Sequence, residues 1–164
     1  MRKGMSLLEL VIATAIMAAI VTSAAALLRS SQTVWNTYNS DVAKLDAAHA
    51  VLRHIVRELR QCWSISAMTP AAQTTGSLSA VKGDGSTLVW TKSGSDVNYG
   101  VSTATNLLAS DISELRFTGY AGDGVTATMT VGDIRSVRCT AVVLLDRDTN
   151  ATKTIHCRAW LRAW

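Results

Sequence analysis

Glu9 has the most unusual setting of any residue in this chain. It is a carboxylate at the start of a long apolar run. From Leu10 to Leu28 no side chain is charged, and only Thr14, Thr22 and Ser23 are polar. A carboxylate in hydrocarbon costs about 2.5–3.5 kcal/mol on insertion scales, so it calls for a partner. The chemistry this implies is charge pairing rather than catalysis. The histidines are His49, His54 and His156. His49 and His54 lack the i, i+4 spacing that puts two metal ligands on one helix face. Asp146-Arg147-Asp148-Thr149-Asn150 alternates oxygen-bearing side chains as a calcium loop does. An EF-hand would place Gly and Glu where this chain has Ala151 and Cys157, so a polar hairpin turn is expected. Gly83-Asp84-Gly85 and Gly122-Asp123-Gly124 are not followed by the Lys-Ser/Thr and helix of a phosphate loop. Neither a Gly-x-Ser-x-Gly elbow nor a His-Glu-x-x-His pair is present. No catalytic set, metal site or cofactor is therefore expected, and the chain reads as a non-enzyme.

The elements that must position these residues follow from periodicity. A helix rises about 1.5 Å per residue, so some 20 apolar residues cross a hydrocarbon core of about 30 Å. Residues 5–28 are long enough. In lipid the backbone must satisfy its own hydrogen bonds, which makes this stretch a transmembrane helix. No Gly or Pro interrupts residues 5–69, and the helix is expected to continue to about residue 65. Two heptad series run along its second half. One is Tyr38, Leu45, Leu52 and Leu59; the other is Trp35, Val42, His49, Val56 and Trp63. Together they predict one apolar stripe, with Lys44, Asp46, Arg53, Arg57 and Arg60 on the opposite face. His49 falls in the stripe, as a core histidine with a hydrogen-bond partner.

Residues 64–86 are rich in Ser, Thr, Ala and Gly and hold the only proline, Pro70. They read as a surface connection with one short strand at 78–81. Strands are then expected at 87–92, 97–101, 112–120, 125–131, 137–145 and 152–161, with both Gly-Asp-Gly triplets as tight turns. A hairpin about Asp148 brings residues equally far from it in sequence face to face. Cys139 and Cys157 are such a pair, which makes them the disulfide candidate and leaves Cys62 over. The fold class is α+β: a long N-terminal helix, half membrane and half amphipathic, packed on an antiparallel sheet. Residues 29–164 suffice for one domain. The formal net charge is +4. Its basic residues are scattered without interleaved aromatics, so no nucleic-acid partner is expected. Arg2 and Lys3 ahead of the apolar run favour a cytoplasmic N-terminus. The domain then lies outside the inner membrane, where disulfides form.

At Gly4, Met5, Glu9 and the apolar residues 11–28 the chain resembles the type IV pilin superfamily. Met5 stands where those proteins usually have Phe. The resemblance implies a leader of residues 1–4, removed after Gly4 by prepilin peptidase, and N-methylation of Met5. It also implies a pilin-like fold, single-pass anchoring of residues 5–28 in the inner membrane, and a periplasmic domain of residues 29–164. Residues 52–61 (LRHIVRELRQ) and 97–120 are similar to the J-type minor pseudopilins of type II secretion and to W-type minor pilins. The function this implies is a structural subunit at the tip of a pseudopilus that supports protein export. The implied partners are the I-, K-, H- and G-type pseudopilins, the peptidase and an inner-membrane assembly platform. Glu9 would be the assembly residue. A minor pilin of a type IV pilus or DNA-uptake filament is the alternative. A signal-anchored binding domain that never polymerises is the other, and it has no need of Glu9.

Overall fold

The computed structural model describes residues 6–148 and 151–162. The leader residues and the cleavage position at Gly4 and Met5 lie outside these. One helix, α1, runs from Leu7 to Leu59. It is followed by eight strands: β1 (Cys62–Met68), β2 (Ser77–Lys82), β3 (Thr87–Ser93), β4 (Asp96–Val101), β5 (Asn106–Ala109), β6 (Glu114–Tyr120), β7 (Ser136–Leu144) and β8 (Thr152–Trp160). The chain divides into two compact units, Met1–Asn39 and Ser40–Trp164.

The first unit is helical from Leu7. Its Ala-rich sequence has neither Gly nor Pro after Met5, which suits a helix. None of residues 6–36 is buried. An 18-residue window here has a mean hydropathy of 2.3. It is long and apolar enough to cross a membrane or to serve as a signal sequence.

The second unit packs the remainder of α1 on two antiparallel sheets, in the orders β1-β2-β3-β4-β5 and β6-β7-β8. This is an α+β arrangement consistent with a pilin-like fold. A narrow seam joins the sheets: Gly76 N–H donates to Leu115 O at 2.8 Å, and Leu115 N–H donates to Thr74 O at 2.9 Å. A Cβ on Gly76 would stand 2.5 Å from Leu115 O, so only glycine allows the approach. One core cluster takes Ala48, Leu52, Ile55 and Leu59 from α1, Trp90 and Leu78 from the first sheet, and Phe117, Val137 and Cys139 from the second. The β7–β8 register pairs Cys139 with Cys157, and Ser136 with Trp160, as a hairpin about Asp148 requires. Gly85 and Gly124 sit at φ +84° and +70°, the left-handed positions that close the two Gly-Asp-Gly turns.

Four expectations need correction. The helix stops at Leu59, not near residue 65, and Trp63 is half-exposed on β1. Cys62 and Ile65 are buried three residues apart, which looks helical. In β1 that spacing comes from irregularities of register between Cys62 and Ser64 and between Ile65 and Ala67, each adding a residue to the ordinary period of two. Second, the buried residues of α1 are Asp41, Ala48, Val51, Leu52, Ile55, Glu58 and Leu59. Leu45, Leu52 and Leu59 hold as expected, but the flanking series lies one residue earlier than Val42, His49 and Val56. His49 is exposed and Val42 is 38% exposed. The leucines alone leave the lean of the stripe open, and the sheets select the side carrying small Ala48. Third, residues 125–131 form no strand. The Asp123 carboxylate accepts from the N–H groups of Val125 and Thr126 at 2.9 and 3.0 Å. The segment then folds back on the end of β6 through single bonds, Ala121 N–H to Thr126 O and Thr128 N–H to Gly119 O. Fourth, two sheets replace one. They include β1, drawn partly from the supposed connection, and β5, whose four residues carry only a short apolar signal.

Leu52, Ile55 and Leu59 are all within 3% of complete burial. Changing any of them to Ala should cost about 2–5 kcal/mol, whereas His49→Ala should change stability by less than about 0.5 kcal/mol. Thermal melts of a soluble fragment beginning at Arg29 measure both. An equal loss at His49 would restore the stripe expected from sequence.

Candidate functional site

The start of α1 is the first candidate. Ser6 precedes the helix, and Glu9 lies in its first turn. Glu9 N–H donates to Ser6 Oγ at 3.2 Å, and Ser6 N–H donates to Glu9 Oε2 at 3.3 Å. This is a reciprocal capping box, which satisfies two backbone donors that a helix start leaves unpaired. A carboxylate in the first turn also faces the positive end of the helix dipole. Glu9 therefore has a role within its own chain that the apolar-run argument did not supply. The Ser-x-x-Glu spacing was the signal for it.

The loop after β7 is the second. Asp146 N–H donates to Asp41 Oδ1 at 2.6 Å, and Ser40 Oγ donates to Asp146 Oδ2 at 2.5 Å. Lys44 Nζ bonds the other Asp146 oxygen. These hydrogen bonds, first from Lys44 and then from Ser40, hold the Asp146 carboxyl below its usual range. Asp41 is buried, and its second oxygen lies 4.0 Å from Arg147 Nε. Asp146 of the calcium-like run is thus engaged in tying helix to hairpin. Thr149 and Asn150 lie outside the described residues. Among those described, no group of three His, Cys, Asp or Glu side chains could hold a metal ion.

A third cluster joins α1 to the first sheet. Trp90 Nε1–H donates to His54 Nδ1 at 3.4 Å, and Tyr99 packs edge-on to the imidazole at 4.4 Å between centroids. His54, not His49, is the histidine with a core partner. Burial lowers its pKa from the ordinary 6.5, against the pull of nearby Glu58. Glu58 itself is buried and bridges Lys82 Nζ at 3.0 Å and Arg57 Nε at 3.2 Å. Burial opposes its charge, but the Lys82 and Arg57 bonds prevail, and its pKa falls below the usual 4.5. These groups stabilise packing. They do not line a cleft in which a nucleophile meets a base.

The cysteines form the last candidate. Cys139 and Cys157 face each other across β7 and β8, and their thiols share a hydrogen bond. All three cysteines are free thiols in this structure. The bond with Cys157, together with burial, holds the Cys139 thiol protonated far above its usual pKa. Burial pushes Cys62 up to about 11. A buried protonated thiol reacts slowly, so Cys157, whose pKa is lowered chiefly by its hydrogen bond with Cys139, is the group that would react first. Oxidation of the folded protein should give the Cys139–Cys157 bridge and leave Cys62 reduced. A peptide map linking Cys62 to either strand would refute the pairing. Comparison of the chain with protein-family models, with curated proteins and with solved structures finds no match to any of them.

Proposed function

We propose that this protein is a minor pseudopilin, an inner-membrane-anchored assembly subunit of a short filament that supports protein export across the outer membrane. The observation that carries this reading is the continuity of α1. A single 53-residue helix begins in an apolar segment with no buried residue and ends in the core of a folded β-rich domain. An apolar helix surface of that kind needs lipid or other helices around it. The leader-like Gly4 and the acid at Glu9 favour helices of sister subunits over a plain anchor. Its partners would be the other pseudopilins, prepilin peptidase and an inner-membrane platform. Residues 1–4 would be removed, with the domain in the periplasm.

Mass spectrometry of the mature protein tests the reading. Cleavage between Gly4 and Met5 with an N-methylated Met5 is expected. Cleavage after Ala19 or Ala26 would mean an ordinary signal peptide and would end it.

Glu9 has two possible duties, and they separate by substitution. In a crowded, water-poor filament core the Glu9 carboxylate can pair with the Met5 amine of a neighbouring subunit. A slip of register would then leave two charges stranded. The capping box needs only an acceptor at this position, which Gln also provides. Glu9→Gln keeps the cap and removes the charge, whereas Glu9→Ala removes both. Both variants should be processed and inserted normally, and both should co-purify poorly with partner pseudopilins. Wild-type association of Glu9→Gln alongside weak association of Glu9→Ala would assign Glu9 to capping alone.

A further inference from the structure

A groove of about 540 Å³ runs between the C-terminal half of α1 and β8. Its rim carries six basic side chains: His49, Arg53, Arg57, Arg60, His156 and Arg158. Its floor is aliphatic, with Leu52, Val56 and Ile155. No carboxylate lines it. The nearest acid on the helix, Glu58, is already shared between Arg57 and Lys82. Arg158 is held in place: Nε and Nη2 bond Ser136 Oγ at 3.0 and 2.7 Å, and its guanidinium lies 4.1 Å from the Tyr120 ring centroid. Across the ladder, Arg138 stands directly opposite Arg158. Both guanidiniums lie over the Tyr120 ring, at 5.1 and 4.1 Å from its centroid, so Arg158 reaches across the sheet toward β6 and leaves the free edge of β8 to the helix arginines.

β8 also ends its sheet. It pairs with β7 on one side, and among the described residues no strand pairs with the other. A nine-residue edge of unpaired N–H and C=O groups is a template for another strand. We infer that this groove binds an acidic, extended polypeptide segment of a partner protein, added as a strand along the free edge of β8. The backbone of the segment pairs with β8, its acidic side chains meet Arg53, Arg57 and Arg60, and its apolar side chains reach Leu52, Val56 and Ile155. A nucleic acid fits the same charge less well. The groove lining holds no Phe, Tyr or Trp on which bases could stack, and a strand edge offers nothing specific to a phosphate chain. The inference concerns the domain alone and does not depend on filament assembly.

Fluorescence anisotropy on the full chain in detergent tests it. The probe is a labelled nine-residue peptide of alternating Glu and Val. Controls are the same peptide methylated on alternate backbone nitrogens, its Lys-Val counterpart, and oligothymidylate. Saturable binding of the Glu-Val peptide is expected. It should weaken at least about tenfold on backbone methylation, and by a similar factor in the Arg53→Glu/Arg60→Glu variant, whose exposed positions leave the fold unchanged. The Lys-Val peptide should not bind. Absence of saturable Glu-Val binding, equal binding of the methylated peptide, or tighter binding of oligothymidylate would each overturn the inference. The methylated-peptide comparison uses the unaltered protein and stands whatever the variant does.

Discussion

The burial of one face of α1 against both sheets is the interaction on which the second unit depends. The two sheets meet backbone to backbone at separate points: the Thr74–Gly76 and Leu115 seam, Ile112 N–H on Ser95 O, and Arg162 N–H on Cys62 O. What makes them one core is the helix surface of Ala48, Leu52, Ile55 and Leu59, packed among residues of each. Each fully buried aliphatic side chain of this kind contributes about 1.5–3 kcal/mol, a large share of what a small domain holds in reserve. Polar contacts follow the same line. His54 reaches Trp90 on β3, Glu58 reaches Lys82 on β2, and Asp41 reaches the backbone beyond β7. A buried polar group that left water unpaired would cost more than such a bond contributes, and these three side chains are each matched to a partner.

The distribution of charge follows from that packing. Two of the acids on this part of α1, Asp41 and Glu58, turn inward to partners. The arginines at 53, 57 and 60 stay in water on the exposed side. A chain of modest net charge thereby acquires a local basic surface beside an unpaired strand edge. Neither feature follows from the other, and their coincidence gives the groove its character.

The first unit obeys a different constraint. Its surface from Leu10 to Leu28 is apolar and exposed, and its only acid closes a capping box at the helix start. A carboxylate committed to Ser6 is already partly compensated, which lowers the cost of placing it near hydrocarbon. Under the proposed function the same group would exchange, or share, that bond with a neighbouring amine.

Much of this was legible in the sequence. The apolar run, the absence of Gly and Pro, the leucines at 45, 52 and 59 and the alternating strands β3, β4, β6, β7 and β8 are local patterns set by backbone geometry, and they survive folding. The register of Cys139 against Cys157 was legible too, because a hairpin turn at Asp148 leaves only one pairing. The helix end, the lean of its buried stripe and the division into two sheets were decided by tertiary structure. Cys62 and Ile65 carry a helical spacing that bulges convert into a strand face. Ala48 and His49 are equally placed beside Leu52 on the helix, and only the approach of the sheets distinguishes them. The basic groove is of the same kind: Arg53 and Ile155 lie far apart in sequence, and only the docking of β8 beside α1 brings them to one groove.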